Sequence, residues 1–279
     1  MNLEKYMYLS LAKQLSTGTS LRNKVALITG STSGIGLSAA HHLAAQGAHI
    51  IIHGLVSIHE GLELKSSFEK QYGVQVMFSD ADIANVEQID LLMLNINNQF
   101  QRLDIVINNA GIQHTDSVVN FPRDKWNAII AINLSAAFHI MQQALPLMKK
   151  NNWGRIINIA SVHGLVGSAN KSAYVAAKHG LIGLTKVAAI EQAAANITVN
   201  AICPGWVETP LINNQIEDLA KQQNIDVTEA KHKLITQKQP LPAMATPSQI
   251  ADLILFLCTD TARSITGSSL PIDGAWTAQ

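Results

Sequence analysis

From Lys24 onward the chain repeats one pattern, a short apolar, β-branched run followed by a longer stretch with helical spacing. The runs are VALIT (25–29), HIIIH (49–53), VQVMF (74–78), DIVIN (104–108), RIINIA (155–160) and ITVNAI (197–202). Few of them alternate apolar with polar residues, so both faces of each strand must be covered, as in a parallel sheet. The intervening segments, such as 34–46 and 123–150, are long enough for crossover helices. Repeated βα units joined by right-handed crossovers predict an α/β fold with a single doubly wound parallel sheet.

No composition shift or low-complexity linker divides the chain, which predicts one domain over 21–279 preceded by an arm over 1–20. The arm is no signal peptide by pattern: Glu4 precedes its apolar stretch, Lys13 interrupts it and no small-residue cleavage site follows. No apolar run approaches the length of a transmembrane helix, and the expected location is cytoplasmic. With 47% apolar and 14% charged residues and zero formal net charge, the composition suits a packed core and offers no electrostatic footprint for nucleic acid or an anionic membrane. Cys203 and Cys258 sit in apolar runs and read as buried thiols. One stretch breaks the rhythm. Residues 208–242 are rich in Gln, Lys, Asn and Glu, with apolar positions such as Ile212, Ile216 and Leu219 at helical spacing. A helical insertion after the carboxyl end of a strand is a place for a lid.

The first strand runs into Gly30, Ser31, Thr32, Ser33, Gly34, Ile35 and Gly36, and then into an amphipathic helix. Glycines let the backbone bend close to a pyrophosphate, whose charge a helix N-terminus favours. Strand, glycine turn and helix in that order at the first βα unit point to a dinucleotide, and the sheet is then Rossmann-type. The spacing, G-x-x-x-G-x-G, resembles that of the short-chain dehydrogenase/reductase family.

A second pattern points to proton chemistry. Tyr174 and Lys178 at i and i+4 on one helix share a face. An ammonium beside a phenol stabilises the phenolate and makes tyrosine a usable acid or base near neutral pH. Lys178 could also bond the nicotinamide ribose, and Ser161, ending a strand, could hold the substrate oxygen beside Tyr174. With the glycine turn and Asn108-Asn109-Ala110-Gly111 in the same order, these residues are similar to the family's catalytic set. That resemblance extends from Leu21 to the C-terminus. It implies Asn133 as the fourth catalytic member, positioning a water that links Lys178 to solvent. It also implies cofactor contacts at Leu55, Asp82, Ile83, Asn109, Ala110, Gly111, Pro204, Gly205, Trp206, Val207 and Thr209, besides the glycine turn, Tyr174 and Lys178.

Cofactor choice turns on the second strand's end. His53-Gly54-Leu55 carries no Arg or Lys for a 2′-phosphate and no acid for a ribose hydroxyl. Ser33 likewise is not basic. The absence of a phosphate partner favours NAD; if NADP were used, His53 or His59 would be the first partners to suspect.

Around this core lie Gln113, His163, Lys171, Trp206 and Gln215, each on a segment expected at the carboxyl end of a strand. Together with Ser161 and Tyr174 they could form a substrate pocket, in which Gln, His and Lys hold a small carboxylate while Trp206 supplies an apolar wall. Singly, His163 also suits a turn cap, and Lys171 and Gln215 suit solvated positions. Segments such as NNAGIQH (108–114), NAICPGWVETPL (200–211) and the closing DGAWTAQ are similar to the branch of the family that acts on short 3-hydroxy acids. That resemblance implies NAD-linked, reversible oxidation of (R)-3-hydroxybutyrate to acetoacetate in a homotetramer, with the carboxylate held by Gln113, His163, Lys171 and Gln215. In some tetrameric relatives the C-terminal residue helps bind an intersubunit metal. Gln279 would suit, yet no ligand cluster is visible and no metal is assigned. Two alternatives stay open: another member such as a 3-oxoacyl carrier-protein reductase, and a catalytically silent cofactor sensor.

Overall fold

The computed structural model describes residues 21–278; the arm expected at 1–20 and Gln279 lie outside them. Within that range seven strands form one sheet, every paired neighbour parallel, in the order β3-β2-β1-β4-β5-β6-β7. They are β1 (Val25–Ile28), β2 (His49–His53), β3 (Val76–Ser79), β4 (Ile105–Asn108), β5 (Gly154–Ile159), β6 (Ile197–Pro204) and β7 (Ser269–Ile272). The helices are α1 (Gly34–Ala45), α2 (Ile58–Tyr72), α3 (Val86–Phe100), α4 (Arg123–Lys150), α5 (Ser172–Gln192), α6 (Pro210–Gln223), α7 (Val227–Thr236) and α8 (Pro247–Leu257). Strand order reverses beside β1, and the crevice at the carboxyl ends of β1 and β4 is where such sheets bind ligands.

The apolar runs are strands for the reason their composition suggests. In β1, Ala26 and Ile28 pack with Leu43 of α1, Phe68 of α2 and Ile254 of α8. Val25 and Leu27 point the other way, toward Ile89 of α3, Ile140 of α4 and Ala188 of α5. Alternate side chains therefore enter two separate cores, and neither face tolerates a polar stripe. Each fully buried Ile or Leu contributes about 1.5–3 kcal/mol relative to exposure. The seventh strand, SLPI, lay outside the runs read from sequence. It is a sheet edge paired only with β6, where Pro271 costs no ladder bond on the open side.

Helix α4 needs a correction. It runs 28 residues with a stretch of mean hydropathy 1.4, long and apolar enough to cross a membrane by length and composition, although no unbroken run reaches that length. Its inward positions, including Ile140, Ala144 and Met148, belong to the core beneath the sheet. A π-turn, Ala131–Ser135, interrupts it around Asn133. The polar stretch 208–242 contains α6 and α7, whose Ile216, Ala220, Ala230 and Ile235 close on Trp206 and Met244 as a small core of their own.

Candidate active site

The turn after β1 takes its shape from glycines that have no substitute there. Gly30 and Gly34 have φ of +63° and +55°, in the left-handed region that side chains disfavour. A Cβ on Gly36 would stand 2.3 Å from the Gly30 carbonyl oxygen. Thr29 ties this turn to the loop after β4: its hydroxyl accepts from the Asn109 and Ala110 amides, each at 3.0 Å. The Asn109 side chain donates back to the Thr29 and Gly30 carbonyls. At the start of α1, Ser33 makes no side-chain cap and the first turn holds no acid. The leading amides of α1 are thus left for an anion.

A cavity of about 410 Å³ extends from this turn across the carboxyl ends of the strands. Every residue expected along the cofactor's path lines it except Gly36, which packs beneath the turn, and Trp206, which packs in the small core with α6 and α7. His53, Gly54, Ala81 and Ile112 line it as well. Among the described lining residues Lys178 is the sole Lys or Arg.

Ser161, Tyr174 and Lys178 stand in the wall of this same cavity. Helix α5 carries Tyr174 and Lys178 on one face, the ammonium 5.6 Å from the tyrosine ring centre. Lys178 is buried and donates to the Ile159 carbonyl at 2.7 Å. Burial pulls its pKa down to about 8. Burial also raises the Tyr174 phenol above its ordinary value, opposed by a hydrogen bond from Ser161. Ser161 Oγ in turn accepts from the His163 amide at 3.2 Å.

Asn133 sits outside the main cavity. Its side chain is committed to Ile112, accepting from that amide and donating to that carbonyl, each at 2.9 Å. Beside it a void of about 10 Å³ is lined by Asn133, Lys178, Thr29 and Asn108, roughly the room one water needs. The buried Asn108 Oδ1 has no other partner there. The π-turn widens α4 at this point, a distortion often found at functional sites.

Of the residues expected around a substrate, Gln113 lines the main cavity. His163, Lys171 and Trp206 gather next to it. The His163 ring meets Tyr174 edge-on at 5.9 Å, and Lys171 Nζ lies 5.8 Å from the Trp206 ring. Burial first, and the neighbouring Lys171 charge second, push the His163 pKa down to about 4, so this imidazole is neutral. Burial lowers Lys171 too. Trp206 Nε1 is buried without a partner. Gln215 is half-buried on α6 and does not line the cavity.

Two contributors carried no role in the sequence reading. Trp276 packs 5.5 Å from both His163 and Trp206, completing an aromatic wall. Asp273 places it, accepting from the Ala275 and Thr277 amides and the Thr277 hydroxyl. An Asp followed by Gly is a turn signal that could have flagged this loop, but not its convergence on His163. Among the described residues no group of three or more His, Cys, Asp or Glu is arranged to hold a metal.

Comparison with known proteins agrees with this geometry. The family model described as enoyl-(acyl carrier protein) reductase matches residues 30–277. A D-beta-hydroxybutyrate dehydrogenase of Cupriavidus necator is 48% identical over 93% of this chain and 100% of that protein. One from Rhizobium meliloti is 45% identical over 92% and 99%. Among solved structures, L-sorbose reductase from Gluconobacter frateurii, complexed with NADPH and L-sorbose, superposes with a TM-score of 0.88 at 29% identity, covering 92% of this chain and 98% of its own.

Proposed function

The chain belongs to the short-chain dehydrogenase/reductase family, and on that premise we propose that it oxidises (R)-3-hydroxybutyrate to acetoacetate, reversibly, with NAD. One observation carries the reading: Ser161, Tyr174 and Lys178 line the same cavity as the glycine turn, so proton and hydride chemistry meet in one place. The fit to a dinucleotide rests on the glycine cradle, the uncapped start of α1 and a cavity of ligand size. A bound nicotinamide supplies or accepts the hydride.

The rest is work for the side chains. Tyr174 takes the proton from the substrate hydroxyl, while Ser161 holds that oxygen. Lys178, cationic at neutral pH with a pKa of about 8, favours the phenolate against the burial that opposes it. The void between Lys178 and Asn133 offers the proton a one-water step toward solvent. Lys171 and the neutral His163 hold the carboxylate with Gln113, and Trp206 and Trp276 form the apolar wall. Gln215 joins them when α6 and α7 close as a lid over the cavity. NAD is favoured over NADP because the adenosine end, at Thr32, Ser33, Gly54 and Leu55, presents no Arg or Lys to a 2′-phosphate. Phe138 on α4 and Val187 and Ile190 on α5 are exposed apolar side chains that subunit contacts would cover; the assembly proposed is a homotetramer, and the proposed location is the cytoplasm.

The test is the purified protein with both enantiomers of a panel of hydroxy acids and with NAD and NADP. NAD reduction confined to the (R)-3-hydroxy acid is expected. A protein that reduces NAD with no hydroxy acid sinks the proposal, and equal efficiency with NADP sinks its cofactor half.

A further inference from the structure

His53 ends β2 and is buried at the adenosine end of the cavity. Both of its ring nitrogens are used. The Gly30 amide donates to Nδ1 at 3.1 Å, and Nε2 lies 2.8 Å from the Ala81 carbonyl oxygen. An amide N–H can only donate and a carbonyl can only accept, so Nδ1 keeps its lone pair and Nε2 its proton. One neutral tautomer satisfies both. The backbone strengthens the same junction: the His53 amide donates to Ser31 Oγ at 3.0 Å, and the Ser31 amide donates to the His53 carbonyl at 2.8 Å. The glycine turn is thereby sewn to β2, and the ring extends the seam to the Ala81 loop that leads into Asp82 and Ile83.

We propose that His53 is a positioning residue for dinucleotide binding: its neutral ring fastens the glycine turn to the Ala81 loop, and its protonation releases the turn. The proposal rests on the reading of the cavity as a dinucleotide site. A proton on Nδ1 would face the Gly30 N–H with a second donor and leave that amide without an acceptor. Among the described residues the charged groups acting on the ring are Asp80 and Asp82, both after β3, which favour the cation. Burial outweighs them and keeps the pKa below its ordinary value. With both nitrogens engaged, His53 is also not the partner for a 2′-phosphate that its position in the sequence suggested.

Calorimetric titration of NAD into the parent, His53→Phe and His53→Asn tests this, together with long-range ¹H–¹⁵N NMR of the parent imidazole. Asparagine places its Oδ1 where Nδ1 lies, so it keeps an acceptor for Gly30 and cannot titrate. At pH 7.5 the phenylalanine variant should bind NAD about tenfold more weakly and the asparagine variant within about threefold of the parent. From pH 7.5 to 5 the parent should lose affinity by about threefold more than His53→Asn. The NMR should show the Nε2–H tautomer at neutral pH. Phenylalanine binding NAD as tightly as the parent, an Nδ1–H tautomer, or equal acid losses in the parent and His53→Asn would each overturn the proposal while leaving the dinucleotide reading intact. If the phenylalanine variant fails to fold, the tautomer and the parent–asparagine comparison decide. A parent that binds no dinucleotide overturns the dinucleotide reading, and this proposal with it.

Discussion

At the glycine-turn end of the cavity the walls are mostly backbone and small side chains. Gly30, Gly34 and Gly36 shape the turn, Thr29 and Asn109 fasten it by hydrogen bonds, and no Arg or Lys lines the adenosine end. Beside the other end stand large side chains from distant segments: His163 and Lys171 from the β5–α5 region, Trp206 after β6 and Trp276 near the C-terminus. Burial bears on ionisable groups at both ends, but at this one it acts on a charged side chain too, lowering Lys171 and pushing His163 down to about 4. The contrast is physical. A dinucleotide's phosphates can be met by amides that any sequence with the right glycines supplies, whereas a small carboxylate must be met by a few costly buried charges and dipoles.

Four measurements can break or sharpen that contrast. The largest effect is expected where the two ends meet, at Tyr174. Tyr174→Phe removes the proposed proton carrier and keeps the ring, so turnover should fall by about 10²–10⁴-fold with NAD affinity nearly unchanged. A phenylalanine variant with near-parental turnover would remove tyrosine from the mechanism.

Next comes the side-chain end. Lys171→Ala should weaken catalysis with 3-hydroxybutyrate by about 2–5 kcal/mol if the carboxylate is held in a dry pocket. Some of that loss should fall on kcat, because the anchored carboxylate aims the reacting carbon. A neutral alcohol of similar size, 2-butanol, should be a poor substrate for both proteins and change little between them. Equal losses on acid and alcohol would make Lys171 a support for the fold or cofactor.

At the backbone end, Gly36→Ala should cost about 1–3 kcal/mol, because the new methyl must displace the Gly30 carbonyl or the Asn109 side chain. Weaker NAD binding should accompany a lower Tm, without any preference among hydroxy acids. A variant that binds NAD normally would show that the turn is less constrained than its contacts imply.

The smallest effect is a slope. His163 has a folded pKa of about 4 against an ordinary 6.5, so between those values the unfolded chain binds the proton and the folded one does not. Its contribution is therefore present above about pH 6.5 and lost as pH falls toward 4. Carboxylates titrate in the same window, so the comparison is with His163→Asn, whose Tm should fall by a few degrees less than the parent's over that range. Identical acid slopes would mean that the imidazole accepts its proton in place.

Most of the sheet was legible from residues alone, because a strand covered on both faces must be largely apolar, and six of the seven strands fall in the runs that are. Tyr174, Lys178 and the glycine turn were legible for a related reason: their geometry is local, one helical turn or one βα junction. β7 was not, since an edge strand containing Pro271 needs no such run. The span of α4 was legible, 123–150, but not that a helix of membrane-spanning length and hydropathy lay in it, because its apolar residues are spread along one face instead of strung together.

Local order in the sequence, then, determined the α/β class, the glycine cradle and the shared face of Tyr174 and Lys178, since each depends on residues a few positions apart. Only the tertiary structure decided that His163 is neutral, that Trp276 reaches it from more than a hundred residues away, and that His53 spends both nitrogens on Gly30 and Ala81. Those properties arise from burial and from partners on other segments, which spacing along a chain does not encode.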